Sequence, residues 1–151
     1  MCSILIMFLN FLIPVLIAFS FSKLNSSDLS IKIQNIESSF GFIHIALYDD
    51  SKNFPKQIGK KLGIKKKVND FLNDGGVILK NLNSGTYAVA VYHDENSNGR
   101  FDRLLGMPVE KYGFSNDAPV FFGPPKFSDA SFKLIKNVNY SLLIKLRWKR
   151  F

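Results

Sequence analysis

Leu82-Asn83-Ser84-Gly85-Thr86-Tyr87-Ala88-Val89-Ala90-Val91 is the stretch whose reading decides the fold. Asn83-Ser84-Gly85 makes a short turn, with Gly85 supplying its conformational freedom. From there the chain alternates: Tyr87, Val89 and Val91 fall on one side, Ala88, Ala90 and Tyr92 on the other. Period two belongs to an extended strand, whose successive side chains leave opposite faces. The same period recurs on both sides of this stretch. Leu29, Ile31 and Ile33 alternate with Ser30, Lys32 and Gln34, and Ile43, Ile45 and Leu47 with Phe42, His44, Ala46 and Tyr48. Val77 and Leu79 lead to Leu82, and Phe132 and Leu134 make a short strand. Leu142, Ile144, Leu146 and Trp148 alternate with Leu143, Lys145, Arg147 and Lys149. No stretch after residue 23 carries a long amphipathic helical period. The pattern predicts an all-β domain, a single antiparallel β-sandwich of six to eight strands.

The run of leucine, short turn, Gly-Thr-Tyr and alternating valines resembles one in prealbumin-like, Ig-like and other small extracellular sandwiches. That resemblance implies fold class and no activity. The chain has 151 residues, 20 basic and 12 acidic, for a net charge of +8. Its only cysteine is Cys2 and it has two histidines. A disulfide scaffold is excluded, and so is a zinc site of four cysteines or of two cysteines and two histidines.

Residues 1–22 contain no charge; the first is Lys23. Within them Ile4 to Phe21 is apolar except for Asn10, Pro14 and Ser20, and Ala18-Phe19-Ser20 has small residues at signal-peptidase spacing. The segment is expected to be a signal peptide or an N-terminal anchor, since about 18 apolar residues suffice to cross a bilayer. The domain is then residues 23–151, exported to the periplasm, cell envelope or medium.

Two segments break the strand rhythm. Ser51 to Asn69 holds seven lysines and no acid. His93 to Ala130 holds four of the six prolines and many aromatic residues. Loops this long are functional or disordered, and so much aromatic surface calls for packing. The second segment is read as an ordered excursion covering one end or face of the sandwich.

That excursion opens with Asp94-Glu95-Asn96-Ser97-Asn98-Gly99-Arg100-Phe101-Asp102. Asp94, Asn96, Asn98 and Asp102 offer side-chain oxygens at positions 1, 3, 5 and 9, and Arg100 a backbone carbonyl at position 7. Gly99 stands where a calcium loop turns sharply. Leu105 occupies position 12, so this is no EF-hand. A calcium ion held here would draw further oxygens from Glu110, Asn116 or Asp117. With two carboxylates its dissociation constant would be on the order of 10⁻⁴–10⁻³ M. The alternative is a metal-free turn closed by Asp and Asn on their own backbone.

Ile45-Ala46-Leu47-Tyr48-Asp49, Phe54-Pro55, Leu82 to Val91, His93 to Gly99 and Asp102 make up the first half of a longer pattern. Gly106-Met107-Pro108, Tyr112 to Asn116, Gly123-Pro124-Pro125 and Phe127 to Ala130 make up the second. In this order they resemble an exported bacterial family known as domain of unknown function 2141. The resemblance covers about residues 41–135 and implies an exported single-domain β-sandwich. It brings no catalytic residue or substrate. Asn83 and Ser84 stand where the family often has two prolines, and the lysine cluster is richer than its pattern.

No catalytic constellation is recognisable. His93 ends a strand beside Asp94 and is read as a hydrogen-bonded histidine pinning the loop; the enzyme reading makes it a base or metal ligand of a hydrolase sited there. His44 is expected on the face opposite Ile43, Ile45 and Leu47. Ser115 lacks the glycines of a nucleophile elbow, and Glu95 with Glu110 is a carboxylate pair of unknown separation. Lys56, Lys60, Lys61, Lys65, Lys66 and Lys67 make a positive field suited to an anionic envelope component. Another protein is the other partner class, and nucleic acid is not expected after export. The membrane is met through residues 4–21 if they are retained, with basic residues on its surface. The expectation is a noncatalytic envelope module with a calcium-stiffened loop, set against a metal-free adhesive module and a hydrolase at His93.

Overall fold

The computed structural model describes residues 26–148. The signal or anchor segment lies outside them, as does Lys149. Ten strands follow in order: β1 (Ser26–Gln34), β2 (Phe42–Tyr48), β3 (Leu62–Lys67), β4 (Val77–Asn83), β5 (Gly85–Asp94), β6 (Arg103–Leu104), β7 (Met107–Pro108), β8 (Tyr112–Phe114), β9 (Phe132–Leu134) and β10 (Tyr140–Lys145). Helix α1 (Val68–Asn73) joins β3 to β4 and helix α2 (Phe127–Ala130) precedes β9.

One sheet has the order β10-β1-β4; the other has β3-β2-β5-β8, with β9 pairing to the start of β5. Leu29, Ile31, Leu79, Leu142 and Ile144 of the first sheet share one core with Ile43, Ile45, Leu47, Val89 and Val91 of the second. These are the alternating residues of the sequence pattern, and each fully buried Leu, Ile or Val contributes about 1.5–3 kcal/mol. The two facing sheets make a β-sandwich.

Three details correct the sequence reading. Strands β1 and β10 run parallel, with Ile31 opposite Leu142, so the sandwich is not wholly antiparallel. The lysine-rich segment is not all irregular: Leu62–Lys67 is edge strand β3, paired to β2 with Ile64 opposite Ile45. Lysines on an edge discourage pairing with other chains, and their polarity masks the alternation. The final strand ends at Lys145; beyond it Arg147 makes a single bridge to Tyr112.

The excursion contains the two-stranded β6–β7 hairpin and strand β8, which extends the second sheet beside β5. It folds over that sheet's outer face, where Tyr48, Phe54, Ala88, Tyr112, Phe114, Ala118 and Ala130 form a second core. Ser115 ties the two together: its hydroxyl donates to Ala130 O (2.5 Å) and accepts from Val89 N (2.9 Å). It is a buried brace, not a nucleophile. Among the described residues no helix is long and apolar enough to cross a membrane.

Candidate functional site

The outer face of the second sheet follows from register. His44 lies opposite Tyr92, and Ala46 opposite Ala90. Ala90 in turn faces Phe114, and Tyr92 faces Tyr112. Rings therefore surround two paired alanines, and the missing side-chain volume leaves a hollow. It is a cavity of about 780 Å³ walled by three segments: Pro55 to Lys60, Gly99 to Pro108, and Val120 to Pro124. That volume suits a small-molecule ligand.

His44 is the polar centre of the cavity floor. Its ring stacks on Tyr92 at 4.5 Å, and its Nε2 lies 3.1 Å from Asp94 Oδ2. An ionised carboxylate only accepts, so Nε2 carries the proton and Nδ1 keeps its lone pair. Burial lowers the His44 pKa; the hydrogen bond and charge of Asp94 oppose this, while Lys65 and Lys60 reinforce it. The Asp94 hydrogen bond and the Tyr92 stack hold the imidazole in one orientation. Burial also pushes the Tyr92 phenol up to about 12, helped by the charges of Asp94, Glu110 and Asp102.

Asp94 is fully buried and its carboxylate is saturated. Oδ1 accepts from Asn98 N (3.0 Å), and Oδ2 accepts from Gly99 N (2.9 Å) as well as from His44. Gly41 makes room for the strand end, because a Cβ there would overlap the carbonyl oxygen of Asp94. Gly99 takes a φ of +77°, which aims its N–H back at the carboxylate.

The side chains of Asn96, Asn98 and Asp102 are also engaged. Asn96 Oδ1 accepts from Asn98 N (3.0 Å) and Asn98 Oδ1 from Arg100 N (2.8 Å). Both amide Nδ2 groups donate to Asp102 Oδ2, at 2.8 and 2.7 Å. Among the described residues no group of three His, Cys, Asp or Glu side chains is gathered as metal ligands. Asp102 N donates to Glu110 Oε2 (3.1 Å), while Glu110 Oε1 is buried without a partner. Burial, with the nearby charges of Asp102, Asp94 and Glu95, outweighs that hydrogen bond and pushes the Glu110 pKa up to about 7.

The other sequence candidates disperse. His93 is buried with Nε2 2.8 Å from Phe40 O, and the carboxylate next to it in sequence turns to His44 instead. Glu95 and Glu110 border a separate cleft of about 440 Å³. Asn116 donates to Ser131 O, and Asp117 pairs with Arg147. Of the lysines, Lys56 and Lys60 line the cavity. Lys61 pairs with Asp49 (2.5 Å) and Lys66 with Asp74 (2.6 Å). Lys65 lies 4.1 Å from the Phe42 ring centroid, and Lys67 is exposed at the end of β3. Sequence reasoning passed over Ala46, Ala90 and Tyr92 as site residues. Their signal was parity: they share the face of His44 and Tyr48.

A sequence model for an uncharacterised protein family conserved in bacteria, domain of unknown function 2141, matches residues 31–141. The chain belongs to that family. The matched span takes in the whole cavity. The residues that carry the family resemblance and line it include Ala46, Pro55, Ala90, Tyr112 and Phe114. No curated protein and no solved structure matches the chain.

Proposed function

We propose that this family member is a noncatalytic binding module of the cell envelope, and that the outer-face cavity holds an amphiphilic anion. One observation carries the reading. The cavity has an apolar and aromatic floor, four basic residues in its walls (Lys56, Lys60, Arg100 and Arg103), and no carboxylate lining it. The apolar body of such a ligand would pack on Tyr92, Tyr112 and Phe114, and its acid group would meet the basic wall. The envelope location is supported by the apolar residues 4–21.

Displacement of a neutral apolar dye from residues 23–151 tests this, with decanoate and decanol as matched competitors. Decanoate should compete at least about tenfold better, a gap of about 1.4 kcal/mol, and the gap should shrink in high salt. Equal competition would contradict an anionic ligand. Absence of any dye binding would contradict the cavity reading itself.

In this reading the Asp94 loop works as a metal-free brace. Its support is the set of N–H donors already on Asp94, Asn96, Asn98 and Asp102. The unfolding midpoint should then be equal in EDTA and in millimolar calcium. A calcium-specific rise would restore the calcium reading, by linkage.

A second reading has one observation behind it. His44, oriented by Asp94 and bearing a free Nδ1 lone pair, has the arrangement of a water-activating base. No Ser, Thr or Cys lines the cavity, so water would be the nucleophile. This reading expects slow hydrolysis of esters of apolar acids, abolished by His44→Gln with dye binding intact.

A further inference from the structure

All three segments that wall the cavity end in exposed apolar tips. Ile58 is 87% exposed, between the lining residues Gln57 and Lys60. Leu105 is 90% exposed in the β6–β7 turn, next to the exposed Leu104 at the end of β6, between the lining residues Arg103 and Gly106. Phe122 is fully exposed beside an exposed Phe121. Residues flanking each tip line one cavity, so the three exposed tips are read as its rim.

An exposed leucine is ordinary by itself. Five large apolar side chains on three neighbouring loops form an apolar patch, which marks an interaction surface. Leu105 adds a second sign. It sits at a φ of +49°, a backbone conformation unfavourable for a leucine, and its side chain packs on little of its own protein.

Charge indicates the kind of partner. Residues 51–69, 99–108 and 119–126 make up these loops and their flanks. They contain Lys52, Lys56, Lys60, Lys61, Lys65, Lys66, Lys67, Arg100, Arg103 and Lys126 against one acid, Asp102, whose carboxylate accepts from Asn96 and Asn98. Of the lysines, Lys61 and Lys66 are paired, to Asp49 and Asp74. Apolar tips on loops with a large cationic excess match the interface of an anionic bilayer, where leucine and phenylalanine enter the acyl boundary and lysine and arginine stay with the headgroups. A protein partner would need a concave acidic counterpart to three separate tips, whereas a bilayer adapts to them.

We propose that the rim of the cavity, through Ile58, Leu104, Leu105, Phe121 and Phe122, docks on an anionic lipid surface with the cavity mouth facing the membrane. The inference is independent of what the cavity holds. It also separates this contact from any made by residues 4–21, because it fixes which face of the folded domain meets the lipid.

The test uses the full chain with Cys2→Ser, one engineered cysteine and a polarity-sensitive fluorophore. Labels go at Ile58→Cys, Leu105→Cys and Phe122→Cys, with Ile78→Cys and Leu143→Cys as controls. Those two control positions are exposed apolar residues on strands β4 and β10 of the other sheet. With phosphatidylglycerol vesicles, the three rim labels should shift to the blue and be quenched by spin-labelled acyl chains. The two controls should remain in water even if residues 4–21 tether the chain. The rim shift should weaken severalfold in phosphatidylcholine vesicles or high salt. Rim labels as wet as the controls in the anionic vesicles would overturn the proposal. Equal immersion in neutral vesicles would overturn its electrostatic part.

Discussion

The two faces of the sheet formed by β2 and β5 obey the same alternation and end up as opposites. On the inner face Ile43, Ile45, Leu47, Val89 and Val91 are branched aliphatics, all buried in the shared core. On the outer face His44, Ala46, Tyr48, Ala90 and Tyr92 alternate small groups with rings. Branched aliphatics interlock and exclude space. A ring beside an alanine leaves a step, and a pair of alanines across two strands leaves a hollow. The comparison teaches that strand period decides only which face a residue joins. Side-chain volume on that face decides whether it becomes core or site.

The largest expected effect comes from opening the closed face. Ile45→Ala should cost about 2–5 kcal/mol in urea unfolding, because it leaves a cavity in a packed core. Asp94→Ala attacks the support of the open face. It strips the acceptor from Gly99 N and His44 and one of two acceptors from Asn98 N, and unsatisfied buried donors cost about 1–3 kcal/mol. It should also weaken ligand binding, since His44 loses its orientation. A variant that loses neither stability nor binding would remove the brace from the account.

The sharpest pair uses adjacent residues. Val89→Phe forces a ring into the core and should cost about 1–3 kcal/mol. Ala90→Phe places the same ring in open space and should cost less than about 1 kcal/mol. Binding should respond in the reverse order, abolished in Ala90→Phe and largely retained in Val89→Phe. Comparable destabilisation by both would mean that the outer face is as closed as the inner one.

A further effect is a pH dependence. Glu110 has its folded pKa raised from the ordinary 4.5 to about 7. For a carboxyl raised on folding, the associated stability is complete below pH 4.5 and is lost as pH rises through about 7. Glu110→Gln cannot lose it. Thermal midpoints should therefore move in favour of the variant from pH 5 to pH 8, and parallel curves would contradict a buried, unpaired carboxyl.

Much of the fold was legible because its strands have one aliphatic face each: Leu29 and Ile31, Ile43 to Leu47, Tyr87 to Val91. Strand β3 was not, since Leu62 and Ile64 are its only apolar side chains and three lysines follow them. The parallel pairing of β1 with β10 lies in topology, which alternation does not encode. The site was half legible. Asp94 and its loop stood out by spacing, and their hydrogen bonds follow the Asp and Asn turn chemistry expected of them. The partner did not stand out. Adjacency in sequence pointed to His93, whereas the β2–β5 register delivers His44 from fifty residues away. The cavity itself was silent, because its floor is made by what Ala46 and Ala90 lack.

The most direct test of this account is a methyl NMR titration of residues 23–151 with decanoate. The account predicts saturable shifts at the methyls of Ala46 and Ala90 while those of Ile45 and Val89, one residue away on the core face, stay in place. No saturable shift at the two alanines, or equal movement on both faces, would contradict it.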